Sequence, residues 1–151
     1  MKIADILAPN AVLCGLKPKN KKQLLTELAR LAAGKTKLDE AAVLDALIER
    51  ERLGTTGIGM GVALPHTRLP HLKKIFCGFA KCEPVDFESV DNKPVDLAFV
   101  LLVPEEAGAD HLKALARLSR LLRNEKTVAD LRKATDSKGL YDLVIKNDLD
   151  D

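Results

Sequence analysis

The sequence predicts an α/β fold, a three-layer sandwich with helices on both faces of a sheet. Two observations carry this. The stretch PVDLAFVLLVP (94–104) is apolar almost without interruption, as a strand covered on both faces is. Before and after it lie segments whose apolar residues recur every three and four positions. That is the period of helices burying one side, and helices flanking a buried strand on both sides form three layers.

Taken in order, IADIL near the start reads as a short helix stopped by Pro9, and AVLCGL (11–16) as a strand bounded by turn formers. KNKKQLLTELARLAAG follows, with Leu24, Leu28, Leu31 and Ala32 on one stripe and Gly34 as its stop. DEAAVLDALIERERLG is the next helix. Asp39 is its N-cap, Val43, Ala46 and Leu47 its buried face, and Gly54 lies near its end. A short strand is expected at GVAL (61–64) and a longer one at IFCGFAKC (75–82). Pro104 closes the central strand. DHLKALARLSRLL (110–122) then spaces Leu112, Leu115, Leu118 and Leu122 helically, and Asn124 and Asp136 cap two shorter helices. No repeat, linker or low-complexity tract divides the chain, so one domain over 1–151 is expected.

Composition narrows the function. Apolar residues make up 46% and charged residues 30%, the balance of a globular protein. The net charge is +2, from 24 basic and 22 acidic residues that are interleaved. Four Phe, one Tyr and no Trp offer little surface for stacking on bases. Nucleic acid is therefore not an expected partner. The N-terminus lacks a signal-peptide core, and no apolar run reaches the ~20 residues that span a bilayer. Membrane insertion is not expected. Cys14, Cys77 and Cys82 are odd in number and form no CxxC. Free thiols in a reducing cytoplasm are the expectation, rather than disulfides.

The candidate chemistry centres on TTGIGMGVALPHTRLP (55–70). Gly57, Gly59 and Gly61 alternate with Ile58, Met60 and Val62, so the backbone can approach a partner closely while alternate side chains are buried. Pro65 fixes its own φ and drives Leu64 extended, which presents His66 in a defined direction. The segment is neither a dinucleotide fingerprint nor a P-loop. The histidines, His66, His71 and His111, lack metal-site spacing, and no GxSxG occurs. No metal or cofactor is expected. On the residues alone, His66 has a structural and a chemical reading, both open. His71 reads as part of a polar turn, and His111 as a surface residue in the first turn of a helix.

The segment RERLGTTGIGMGVALPH (50–66) strongly resembles the phosphohistidine site of the enzyme IIA domains of the bacterial phosphoenolpyruvate-dependent phosphotransferase system. The likeness is to the fructose/mannitol class, and within it to the nitrogen-related IIA proteins. NKPVDLAFVLLVP (92–104) and HLKALARLSRLL (111–122) are similar to the second block of that family. The resemblance implies a mixed, roughly five-stranded sheet with helices on both faces. It implies that His66 accepts a phosphoryl group from an HPr-type carrier, that His111 is the second site histidine and that Arg50 is the site arginine. Thr56 falls where the family carries a hydroxyl or small polar residue, and Thr56 and Thr67 are expected to support the phosphate. The glycines are expected to let phosphate and carrier come close. Where the family usually has glycine and then lysine after the acceptor, this chain has Thr67 and Arg68, and Arg68 keeps the charge. The implied partners are that carrier and either regulated proteins, such as a transporter or kinase, or a IIB domain. A module that no longer takes phosphate is the third expectation.

Overall fold

The computed structural model describes residues 1–148; the last three residues of the expected 1–151 unit lie outside the described residues. Strands β1 (Leu7–Leu16), β2 (Gly57–Gly59), β3 (Val62–Ala63), β4 (His66–Leu69), β5 (Phe76–Val85) and β6 (Val95–Pro104) form one sheet. Their order is β1-β5-β6-β3-β2, and β4 also pairs with β6. The sheet is mixed: β5 and β6 run antiparallel, while β3 and β4 lie parallel to β6 in succession. Since β3 and β4 share one flank of β6, the sheet is five strands wide. Helices α1 (Lys21–Thr36), α2 (Glu40–Arg52), α3 (Ala109–Arg123), α4 (Glu125–Lys133) and α5 (Ser137–Asn147) cover it.

Strand β6 makes the three layers. Residues alternate across a strand, so Leu97, Phe99, Leu101 and Val103 join the core with Leu118 of α3, Leu131 of α4 and Val144 of α5. Ala98, Val100 and Leu102 face the other way, toward Leu28 of α1 and Leu47 of α2. Phe79 of β5 and Phe99 of β6 are directly opposite and stack with centroids 4.2 Å apart. The expected caps form. Asp39 accepts from Ala42 N, Asn124 from Thr127 N and Asp136 from Gly139 N.

Four expectations are corrected. Residues Ile3–Asp5 make only a single 3-10 turn, and β1 runs through Pro9. Proline is tolerated because β1 is an edge strand and its pairing with β5 slips between Leu7 and Val12. Gly34 does not stop α1, which continues to Thr36 and ends on Lys37 at φ 65°. Gly34 is solvent-exposed with open space around it, and an exposed helical glycine costs only about 1 kcal/mol. Strand β5 extends past Cys82 to Val85. Leu112 matches the helical spacing but is 68% exposed, because the buried face of α3 runs through Ala114, Leu118, Leu121 and Leu122.

Candidate functional site

Helix α2 ends at Arg52, and the chain turns into a tight hairpin of β2 and β3. Met60 and Gly61 form its tip at φ 60° and 79°. Two successive positive φ values are what a type I′ hairpin turn requires. A side chain at Gly61 would also collide with the Arg132 guanidinium, which bonds Met60 O and clamps the Asp96 carboxylate. A Cβ at Gly57 would sit 3.0 Å from Ser89 Cα. These two glycines therefore serve the hairpin and its internal packing.

The hairpin returns through Leu64 and Pro65, and His66 opens β4 beside Leu101 of β6. Pro65 O accepts from Leu101 N at 2.9 Å, so the residue before the histidine is pinned to the central strand. His66 Nδ1 lies 2.7 Å from Leu64 O. A carbonyl can only accept, so Nδ1 carries the proton and a neutral ring leaves Nε2 with its lone pair free. Beyond Pro104, a short connection leads to α3, whose first turn carries His111. The two rings meet edge to face with centroids 5.7 Å apart. His111 Nε2 is buried and has no hydrogen-bond partner among the described residues. The N-cap of α3 is Gly108, which has no side chain to satisfy the first N–H groups. His111 thus stands at a helix end that favours an anion.

Arg50, in the last turn of α2, donates from Nη1 to Gly54 O at 2.9 Å. Arg68 of β4 donates to Glu105 O at 2.9 Å. Burial holds His66 below the usual imidazole range, and the Arg50 charge pushes the same way. The bond to Leu64 O and the Glu51 carboxylate act against them. Burial also lowers His111, followed by the charges of Arg68, His66 and Arg50. Both rings are thus biased toward the neutral form, and two guanidiniums supply positive potential around them.

The structure brings His66, His111 and Arg50 together. Thr56 is buried, and its hydroxyl is taken by Glu51. Thr67 lies in the regular β4–β6 ladder opposite Leu102, with its hydroxyl 3.4 Å from Arg68 O. A strand accepts threonine readily, so the departure from glycine leaves the ladder intact. His71 lies apart in an exposed turn. Sequence reading missed Glu51. Its side chain is 5% exposed and pairs with Lys21 at 3.0 Å. The available signal was its place between Arg50 and Arg52 in the RERLG run.

The lowered histidines give a pH prediction. A histidine whose folded pKa lies below its unfolded value of about 6.5 contributes stability that is full above that value. The contribution is lost as pH falls, because the unfolded chain binds the proton more readily. Urea unfolding should therefore show stability declining from pH 7.5 to 5. His66→Gln should flatten that decline; an equal slope in the variant would remove His66 as its source.

A neutral imidazole with a bare Nε2, a second ring beside it, two guanidiniums and an open helix N-terminus together make a site suited to holding an anion. The chain belongs to the family described as phosphoenolpyruvate-dependent sugar phosphotransferase system, EIIA 2, which matches residues 5–147. It is 53% identical over 145 residues to a nitrogen regulatory protein of Bradyrhizobium diazoefficiens, covering 95% of both chains. It is 37% identical over 129 residues to the fructose-specific EIIA component of Haloferax volcanii, covering 84% of each. The crystal structure of nitrogen regulatory protein IIA-Ntr from Neisseria meningitidis superposes with a TM-score of 0.89 at 34% identity. That match covers 94% of this chain and 98% of the other. Among the described residues, no helix is long and apolar enough to cross a membrane.

Proposed function

We propose that the chain is a regulatory phosphocarrier, a single IIA domain over residues 1–151, whose phosphorylation state controls partner proteins such as a transporter or kinase. His66 accepts the phosphoryl group from a histidine carrier of the HPr type. The observation that supports this best is the bond from Nδ1 to Leu64 O, which leaves Nε2 as nucleophile. Nε2 attacks phosphorus, the N–P bond to the donor ring breaks, and that ring, protonated on its other nitrogen, takes the bonding pair and leaves as neutral imidazole. The new phosphoimidazolium keeps its Nδ1 proton on Leu64 O. Little covalent chemistry falls to the protein, so positioning and charge stabilisation carry the rate. Arg50 and His111 stabilise the phosphoryl oxygens, with the N–H groups of α3 behind them.

The nitrogen-type reading rests on the higher likeness to a nitrogen regulatory protein, 53% against 37% for the fructose component. The second reading, delivery of the phosphate to a IIB cysteine during sugar uptake, is favoured by the likeness to fructose-specific components. The cytoplasm is the proposed compartment, in keeping with the buried free thiols Cys77 and Cys82.

Incubation with phosphoenolpyruvate, enzyme I and an HPr-type carrier, read by intact mass, is the test. One phosphoryl group should be gained, stable to alkali and lost in acid. No gain would leave a module that binds without taking phosphate. Efficient onward transfer to a IIB cysteine would favour sugar uptake over regulation.

A further inference from the structure

We propose that Glu51 is a positioning residue for His66, acting through Thr56 and Leu64 to hold the imidazole with Nε2 free. This rests on the reading of His66 as the phosphoryl acceptor. The connection is continuous. Glu51 Oε1 accepts from Thr56 N at 3.0 Å, and Oε2 accepts from the Thr56 hydroxyl. Thr56 O accepts from Leu64 N at 2.9 Å. Leu64 O in turn accepts from His66 Nδ1. The base of the hairpin is thus tied to the end of α2 by one carboxylate, and the carbonyl that fixes the ring is the next link.

The carboxylate is itself held. Lys21, at the start of α1, pairs with it at 3.0 Å and lies over the Phe87 ring, 4.6 Å from its centroid. A buried carboxylate without such a partner would be strongly destabilising. Because Glu51 accepts both Thr56 donors and is fixed by Lys21, Thr56 cannot drift, and neither can Leu64 O. Glu51 also opposes Arg50 electrostatically at His66. The groups facing His66 are Arg50 and Glu51 from α2, His111 from α3 and the Leu64 carbonyl.

The experiment reads the His66 ring nitrogens by NMR in unphosphorylated, isotope-labelled protein, alongside the phosphorylation rate. The wild type should show one tautomer, with the proton on Nδ1. Glu51→Ala should give a mixture of tautomers and phosphorylation roughly 10- to 100-fold slower, the scale of a small misplacement of a reacting group. Glu51→Gln keeps an acceptor for Thr56 N. It should preserve the tautomer while moving the His66 titration midpoint lower, because the opposing charge is gone. Thr56→Val removes only the hydroxyl link and should fall between wild type and Glu51→Ala. If Glu51→Ala does not fold, Thr56→Val and Glu51→Gln decide. A wild-type tautomer and rate in Glu51→Ala, or in Thr56→Val together with an unmoved midpoint in Glu51→Gln, would overturn the proposal. The tautomer measurement needs no phosphate, so a wild-type protein that fails to take phosphate sinks the phosphocarrier reading and leaves this one to its own result.

Discussion

His66→Ala should abolish phosphorylation by an HPr-type carrier while leaving the fold intact. The argument begins with the neighbours of the ring. His111 is the other imidazole within reach, at 5.7 Å between centroids. Its Nε2 is buried, and the ring lies in the first turn of α3 rather than on the pinned strand that presents His66. A phosphoryl group needs an accessible lone pair aligned with the donor bond, and His66 Nε2 supplies it. Loss of the side chain leaves the residues of both hydrophobic cores in place and removes the bond to Leu64 O, a net cost of about 1 kcal/mol. Circular dichroism and urea unfolding near pH 7.5 should therefore remain close to wild type. Intact mass after incubation with phosphoenolpyruvate, enzyme I and carrier should show no added phosphoryl group. Retention of the wild-type mass gain would move the acceptor to another residue and break the proposed mechanism.

Much of this arrangement is legible in the sequence for specific physical reasons. Strand β6 announces itself because both of its faces are buried, so no polar residue interrupts residues 97–103. Asp39, Asn124 and Asp136 are legible because a capping side chain is a local interaction, decided within three residues. Pro9 and Gly34 mislead because tertiary position overrides local preference: one lies in a slipped edge strand, the other on an exposed helix surface. The site divides in the same way. The direction of His66 follows from Pro65 and the hairpin, both local. The role of Gly57 and Gly61 depends on Ser89 and Arg132, which are far along the chain and cannot be read from the glycine pattern. Glu51 is hidden for the same reason. Its place between Arg50 and Arg52 hints at a role but does not mark Glu51 as buried, and its partner Lys21 belongs to another helix.

Arg50→Ala should slow phosphoryl transfer by about 2–4 kcal/mol in the barrier, the usual cost of removing one preorganised charged donor from developing negative charge. That corresponds to a rate roughly 30- to 900-fold lower. The guanidinium is preorganised because Nη1 is anchored on Gly54 O at 2.9 Å, so little side-chain freedom remains to be lost when phosphate arrives. Its charge already acts on both His66 and His111, which places its field over the two rings between which the phosphoryl oxygens would lie. The effect on folding should be small, because the lost anchor is a single half-exposed contact at a helix end. Arg50→Lys separates charge from geometry. Lysine restores a positive charge but not the planar fork that can hold two oxygens, so its rate should recover only in part. Rapid-quench kinetics with phosphorylated carrier, compared across the wild type and both variants, gives the measurement. Equal rates in all three would remove Arg50 from the site. A melting temperature that falls steeply in Arg50→Ala, with a normal rate in the protein that remains folded, would instead make it a strut for the turn at Gly54.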